Sequence, residues 1–270
     1  MVRVVKTDPH GQQALVTASS AGIGFAVAEC LAESGASVVI NGRTTERADR
    51  AIGQIHDAVP GAALDGVAAD AATALGTAAL IAHAPTLDIL VNNLGIFAPA
   101  PFFALEDADW QRMFETNVIS GARLSRHYAP KMRERGWAGP SLSRASRRST
   151  ASRTSSTTPR RRRRSSPFRA AWRLANELAG SGVTVNAVLP GPTRSEGMAR
   201  FLEELARRSG KTVAEIEAEF IRTQRPTSLI RRLIEPEEVA SPVLYAASPA
   251  ASATTSASLR VDGGVVNSII

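Results

Sequence analysis

Short apolar runs alternate with helix-patterned stretches along most of this chain, and that rhythm leaves few folds open. Ala14-Leu15-Val16-Thr17 is an apolar strand running into a Gly-rich stretch, Ala18 to Gly24. Helical spacing of Ala, Val and Leu follows from Phe25 to Ser34, with Gly35 as the C′ residue. Ser37 to Asn41 reads as a second strand and Glu46 to Ala58 as a polar helix, and a third strand ends near Ala69-Asp70. An Ala-rich helix leads to a fourth strand, Leu87 to Asn92, and a long helix covers roughly Trp110 to Arg135. Beyond residue 173 the alternation resumes: a helix with Leu174 to Leu178, a buried strand from Val183 to Leu189, and helices near 198–209 and 213–222. A helix opened by Pro236 runs to about Ala247, and Ser258 to Val261 is the last strand. Strands separated by helices must lie parallel, joined by right-handed crossovers. The expectation is an α/β fold, a doubly wound parallel sheet with helices on both faces, in a single domain over residues 1–270.

Composition narrows the context. At 44% hydrophobic the chain can bury a sizeable core. No apolar run approaches the ~20 residues of a membrane span, and the N-terminus lacks the apolar core of a signal peptide. Cys30 stands alone, which excludes internal disulfides and suits a reducing cytoplasm. Four scattered histidines and one cysteine offer no metal-ligand spacing, so no metal is expected. The net charge of +7 is local: residues 139–173 hold eleven arginines and no acid, and removing them leaves −4 for everything else.

Where a first strand meets a first helix, a Gly-rich turn lets backbone N–H groups approach a pyrophosphate at the helix N-terminus. Thr17-Ala-Ser-Ser-Ala-Gly22-Ile-Gly24 is such a turn. It is joined by Val91-Asn-Asn-Leu-Gly95 at the end of the fourth strand, Asn117 in the next helix, Leu189-Pro-Gly-Pro-Thr193, and Val261-Asp-Gly-Gly264. Together, in this order and approximate spacing, these motifs resemble the short-chain dehydrogenase/reductase family over nearly the whole chain except 139–173. The closest resemblance is to bacterial members of the 3-oxoacyl-carrier-protein reductase type. The family's first glycine is Ala18 here.

That resemblance implies a Rossmann-type three-layer αβα domain and an enzyme that passes a hydride between a nicotinamide cofactor and a small carbonyl or alcohol. By resemblance, Thr17, Ser19, Ser20, Gly22, Ile23 and Gly24 form the pyrophosphate and ribose lining. Asp70 would hydrogen-bond the adenine, and Asn93 and Gly95 would pack against the adenosine side. Pro190, Gly191 and Thr193 lie at the nicotinamide end, with Thr193 holding the carboxamide. NAD enzymes place a carboxylate at the end of the second strand to accept hydrogen bonds from the ribose 2′-OH. This chain has Asn41-Gly42-Arg43 instead, with a guanidinium suited to phosphate, so NADP is favoured over NAD. The family forms dimers or tetramers through the helix carrying Asn117 and the helix carrying a catalytic tyrosine; half of that interface falls in 139–173, which puts oligomerisation of this chain in question.

The family's proton donor is a tyrosine, its pKa lowered by a lysine four residues on, with a serine orienting the carbonyl and an asparagine supporting a water relay. Asn117 matches the asparagine. The Tyr-x-x-x-Lys pair is missing: there is no tyrosine between Tyr128 and Tyr245, and no lysine between Lys131 and Lys211. Residues 139–173 also contain no Val or Ile, so the expected fifth strand and the start of the catalytic helix are replaced by Arg, Ser, Thr and Pro. An abrupt, sharply bounded switch of this kind is what GC-rich DNA yields when read out of frame. Codons permitted by Pro140 to Thr158, read from each third base, can spell an apolar strand, Ser-Ser, and a tyrosine straddling Thr157 and Thr158. A lysine is permitted four codons later, straddling Arg161 and Arg162, and the serine slot falls at Arg144 beside Ser143. Threonine is too weak an acid to replace a phenol, and arginine holds its proton too tightly. The literal chain is therefore expected to have negligible carbonyl reductase activity.

Two other readings compete. Arg160 to Arg164 with surrounding Ser-Arg pairs would neutralise nucleic-acid phosphates. Against this, only Phe168 and Trp172 could stack on bases, and the segment replaces sheet and helix rather than adding to them. The other is a pseudoenzyme that binds NADP without turnover.

Overall fold

The structure, a computed structural model, describes residues 9–96, 101–136, 142–145 and 167–268. Its strands are β1 (Gln13–Val16), β2 (Ser37–Gly42), β3 (Leu64–Ala68), β4 (Ile89–Asn92), β5 (Leu142–Ala145), β6 (Ala187–Pro190) and β7 (Ser258–Val261). They form a seven-stranded sheet in the order β3-β2-β1-β4-β5-β6-β7, with every neighbouring pair parallel. The helices are α1 (Gly22–Glu33), α2 (Thr45–Ala58), α3 (Ala74–His83), α4 (Asp107–Phe114), α5 (Ser120–Glu134), α6 (Pro167–Glu177), α7 (Glu196–Ser209), α8 (Val213–Gln224) and α9 (Pro236–Ala247). This is the doubly wound α/β domain expected from the alternation.

Because successive strand residues face opposite sides of a sheet, the apolar runs split between two cores. Ala14, Val16, Val38, Ile40, Ile89 and Val91 pack against α1, α2 and α9 through Ile23, Val27, Leu31, Ile55 and Val239. Leu15, Val39 and Leu90 face the other way, toward Leu80 of α3 and Leu124 and Tyr128 of α5. A smaller cluster of Leu202, Ala206, Ile216, Ile221 and Leu233 joins α7 to α8.

Two strand expectations are corrected. A fifth strand was not expected from a stretch without Val or Ile, yet Leu142–Ala145 lies between β4 and β6, pairing Leu90 with Leu142 and Ala145 with Val188. A parallel ladder is a main-chain interaction, and strand propensity largely expresses side-chain packing, so the gap between two strands can be filled without branched residues. Conversely, the strand read from Val183 begins only at Ala187. In Val183–Asn186 side chains take over part of the pairing: Val185 N donates to Thr255 Oγ1 at 3.1 Å and Asn186 Nδ2 donates to Thr254 O at 2.7 Å, while Val185 O still accepts from Ser256 N at 2.7 Å.

Candidate active site

Strand order reverses between β1 and β4, and in open α/β sheets ligands bind in the crevice beyond the carboxyl ends of the strands at such a point. The turn after β1 and the segment after β4 flank that crevice. They are bonded together. Thr17 N donates to Val91 O at 3.0 Å, Leu94 N donates to Thr17 Oγ1 at 3.0 Å, and Asn93 Nδ2 donates to Thr17 O at 3.0 Å and Ala18 O at 3.2 Å.

The Gly-rich turn is narrow for identifiable reasons. A Cβ on Gly24 would lie 2.4 Å from Ala18 O and 2.4 Å from Asn93 Nδ2, so only glycine lets α1 start this close to the turn. Gly22 has φ +59, and Ala18 holds a left-handed φ of +52 that glycine would adopt without strain. Ala21, the N-cap of α1, provides no side-chain cap, and the first turn carries no acid. The helix thus presents its N-terminal N–H groups and positive dipole end with no side-chain competitor from the cap position, the arrangement that suits a pyrophosphate.

Not every residue assigned to the cofactor lining presents its side chain. Ser19 is wholly buried; its Oγ donates to Val16 O at 2.7 Å and accepts from Asn41 N at 2.8 Å. Ile23 points into the core between β1 and α9. Both were expected to line the cofactor; their side chains support the turn from inside, which leaves their main chain to face the crevice. Ser20 and Gly22 stay partly accessible, and Asp70 is exposed with one carboxylate oxygen accepting from Ala72 N at 3.0 Å.

Asn41 is a participant the motif reading underrated. Buried at the end of β2, it accepts from Ala18 N at 3.0 Å and donates to Gly42 O, Val67 O and Ala69 O at 3.2, 3.3 and 3.0 Å. Its amide ties the Gly-rich turn to β2 and β3 and is committed there. The next outward side chain, Arg43, is exposed.

Asn117 lies in a π-helical turn, Glu115–Ile119, between α4 and α5. Such turns are rare and concentrate at functional sites. Its Oδ1 accepts from Ile96 N at 2.8 Å and its Nδ2 donates to Ile96 O at 3.1 Å, so one amide clamps both polar groups of the residue after Gly95. Gly95 is exposed, and a Cβ there would sit 3.2 Å from Asn117 Oδ1.

At the far end of the crevice, Pro190 closes β6 and Gly191 N donates to Val261 O at 2.9 Å. A Cβ on Gly191 would meet Asp262 Cα and O at 2.9 Å. Thr193 is buried, its Oγ1 donating to Gly191 O at 3.1 Å. Arg194, which motif reading passed over, ties the chain entering α7 to α8 and to the residue before α9. It donates to both carboxylate oxygens of Glu217 on α8, at 2.6 and 2.8 Å, and to Glu235 before α9 at 3.1 Å. Those hydrogen bonds push its pKa further up.

Ser143 stands in β5 opposite Val91, and Arg144, the displaced-frame serine slot, pairs with Asn92. Thr157, Thr158, Arg161 and Arg162, the Tyr and Lys slots, lie outside the described residues. The chain's two tyrosines are both accounted for elsewhere. Tyr128 on α5 is fully buried and donates to Ala84 O at 2.6 Å, and burial pushes its pKa up to about 12. Tyr245 on α9 exchanges a hydrogen bond with Thr254 at 2.8 Å. Lys131 donates to Pro85 O, and Lys211 pairs with Glu219. Among the described residues no group of His, Cys, Asp and Glu could hold a metal ion, and no helix is long and apolar enough to cross a membrane.

Comparison with known proteins agrees with this architecture. Residues 17–266 match the family described as Enoyl-(Acyl carrier protein) reductase. The chain is 41% identical to the uncharacterized oxidoreductase YvaG of Bacillus subtilis (strain 168), over 98% of this chain and all of that one. It is 32% identical to the 3-oxoacyl-[acyl-carrier-protein] reductase FabG of Vibrio cholerae serotype O1, over 95% of this chain and 98% of that one. Among solved structures, L-sorbose reductase from Gluconobacter frateurii, complexed with NADPH and L-sorbose, superposes with a TM-score of 0.84 at 26% identity, covering 97% and 99% of the two chains. A 7α-hydroxysteroid dehydrogenase complexed with NADH gives 0.78 at 27% identity, with full coverage of both. Sheet order, Gly-rich turn and relatives agree: the chain belongs to the short-chain dehydrogenase/reductase family of oxidoreductases.

Proposed function

We propose that this domain binds NADP(H) in the crevice between β1 and β4, as an oxidoreductase scaffold for a small carbonyl or alcohol, and that the chain as written binds cofactor without turning over substrate. The observation that carries the second half is the placement of both tyrosines. Tyr128 is buried against Ala84, and Tyr245, on α9, is bonded to Thr254, so neither is available as the proton donor at the end of β5.

The residues present fit the cofactor. Gly24 lets α1 start hard against the turn, and the uncapped start of α1 offers N–H groups to the pyrophosphate. Preference for the 2′-phosphate rests on the end of β2: no carboxylate is there, the Asn41 amide is committed to Ala18, Val67 and Ala69, and Arg43 is exposed. Asp70, Asn93 and Gly95 would border the adenosine, and Pro190, Gly191 and Thr193 the nicotinamide end. When bound, the nicotinamide would supply or accept the hydride. Asn117 holds the backbone after Gly95 in place through Ile96; residues 195–230 would form the cover over the substrate, tied down by Arg194 through Glu217 and Glu235. No side chain among the described residues at this site can deliver a proton to a carbonyl oxygen near neutral pH.

A reading-frame displacement across residues 139–173 would account for the missing pair, since codons permitted by that segment can spell branched residues in the fifth strand, Ser-Ser and Tyr-x-x-x-Lys together. Two chains test this: the present one, and one carrying the displaced-frame reading over that segment. Both should bind NADPH by nicotinamide fluorescence, and only the second should oxidise it with a carbonyl panel. Turnover by the present chain above the uncatalysed rate would refute the assignment of inactivity. An inactive restored chain that still binds cofactor would refute the frame reading, and sequencing both strands across codons 130 to 180 reports on it independently.

A further inference from the structure

Resting on the NADP reading above, we propose that Arg47 is a second cation of the 2′-phosphate site, and that Glu196 at the start of α7 competes with that phosphate for it. Arg47 lies in the first turn of α2, and its Cβ is 3.3 Å from where a Cβ on Gly42 would be, directly beside the backbone that leads into Arg43. Its stem therefore begins at the ribose end of β2. Its guanidinium reaches across to Glu196, with Nη2 3.6 Å from Oε2. Glu196 is held against the pyrophosphate turn: the neighbouring Ser195 Cβ would be 3.3 Å from a Cβ on Gly22. The Arg47 side chain thus spans the stretch of crevice between the ribose end of β2 and the Gly-rich turn.

The two bonds of Glu196 are unequal. Its Oε1 takes Arg200 one turn along α7 at 2.9 Å, while Arg47 stands off at 3.6 Å with over a third of its side chain exposed. A partly exposed contact of that length contributes little. A phosphate offers more acceptor oxygens and more charge than a carboxylate that Arg200 already neutralises in part. Glu46, the acid of the same turn, accepts from the Thr44 hydroxyl and its own backbone N–H, so it is engaged locally. Arg47 therefore gains by exchanging Glu196 for the phosphate, whereas an unphosphorylated ribose provides no such partner.

Affinities for NADPH, NADH, 2′,5′-ADP and 5′-AMP test this, measured on the full chain and on Arg47→Met, which keeps the stem and removes the charge. Arg47→Met should weaken NADPH and 2′,5′-ADP by about tenfold and leave NADH and 5′-AMP unchanged. Glu196→Gln should tighten NADPH by about two- to threefold, and should have no effect in the Arg47→Met background. If Arg47→Met weakens all four ligands alike, or none, the assignment is wrong. If Arg43→Ala abolishes the NADPH preference while Arg47→Met leaves it intact, the NADP reading stands and Arg47 has no part in it. A parent chain that binds NADH as tightly as NADPH overturns both.

Discussion

Replacing Ala18 by glycine should stabilise this protein, against the usual direction of core-adjacent substitutions. Ala18 is held at φ +52 by its hydrogen bonds: its N–H donates to Asn41 Oδ1, and its carbonyl accepts from Asn93 Nδ2. A left-handed backbone costs an L-residue about 1–2 kcal/mol through the contact of its Cβ with the following carbonyl. Glycine removes that contact but loses about 0.5–1 kcal/mol more conformational entropy on folding. The difference leaves Ala18→Gly more stable by about 0.5–1 kcal/mol. For a domain of this size that corresponds to a rise in Tm of about 1–4 °C. Thermal melting followed by far-UV circular dichroism resolves such a change. Ser256, at φ +58 in the loop before β7, is the control: Ser256→Gly should shift Tm in the same direction without altering NADPH affinity. A melting temperature for Ala18→Gly at or below that of the parent would show that the left-handed backbone is not what limits the turn, and would refute the reasoning.

Tyr128→Phe should cost about 1–2 kcal/mol by leaving the buried Ala84 carbonyl unpaired, without affecting cofactor affinity. The Tyr128 pKa lies near 12 in the fold against about 10 when unfolded, so the unfolded chain gives up its proton first and stability falls between those values as pH rises. The phenylalanine variant should lack that component of the alkaline slope; denaturant midpoints from pH 9 to 12 that run parallel for the two proteins would exclude it. Arg194→Ala should loosen the cover with little change in global stability, since its ion pairs with Glu217 and Glu235 are partly exposed. Limited proteolysis should cut within 195–230 faster than in the parent, and identical cleavage rates would count against the clamp.

The alternation of strand and helix, the two-sided burial of the strands and the Gly-rich turn were legible in the sequence because each depends on local pattern: side-chain period, apolar run length, and glycine where a backbone must come close. Helix α9 and strand β7 were read at their observed limits, since Pro236 opens the first and the alternation of Leu259 and Val261 with polar residues marks the second. The loss of the Tyr-x-x-x-Lys pair was equally a matter of sequence, because no fold can supply a phenol that the chain does not contain where it is needed. What only the tertiary structure decided was the direction and partner of each side chain. Ser19 and Ile23 carry the right motif positions, yet both are turned inward. Asn41 and Arg194 read as ordinary polar residues until strands and helices distant in sequence bring Ala18, Val67, Glu217 and Glu235 within hydrogen-bond reach. The fifth strand, unreadable in an Arg- and Ser-rich stretch, appears because its neighbours β4 and β6 offer main-chain partners whose bonding does not depend on side-chain type. Local pattern specifies which elements form; long-range hydrogen bonding and close approach, set by where the sheet places those elements, specify which of their atoms face the crevice.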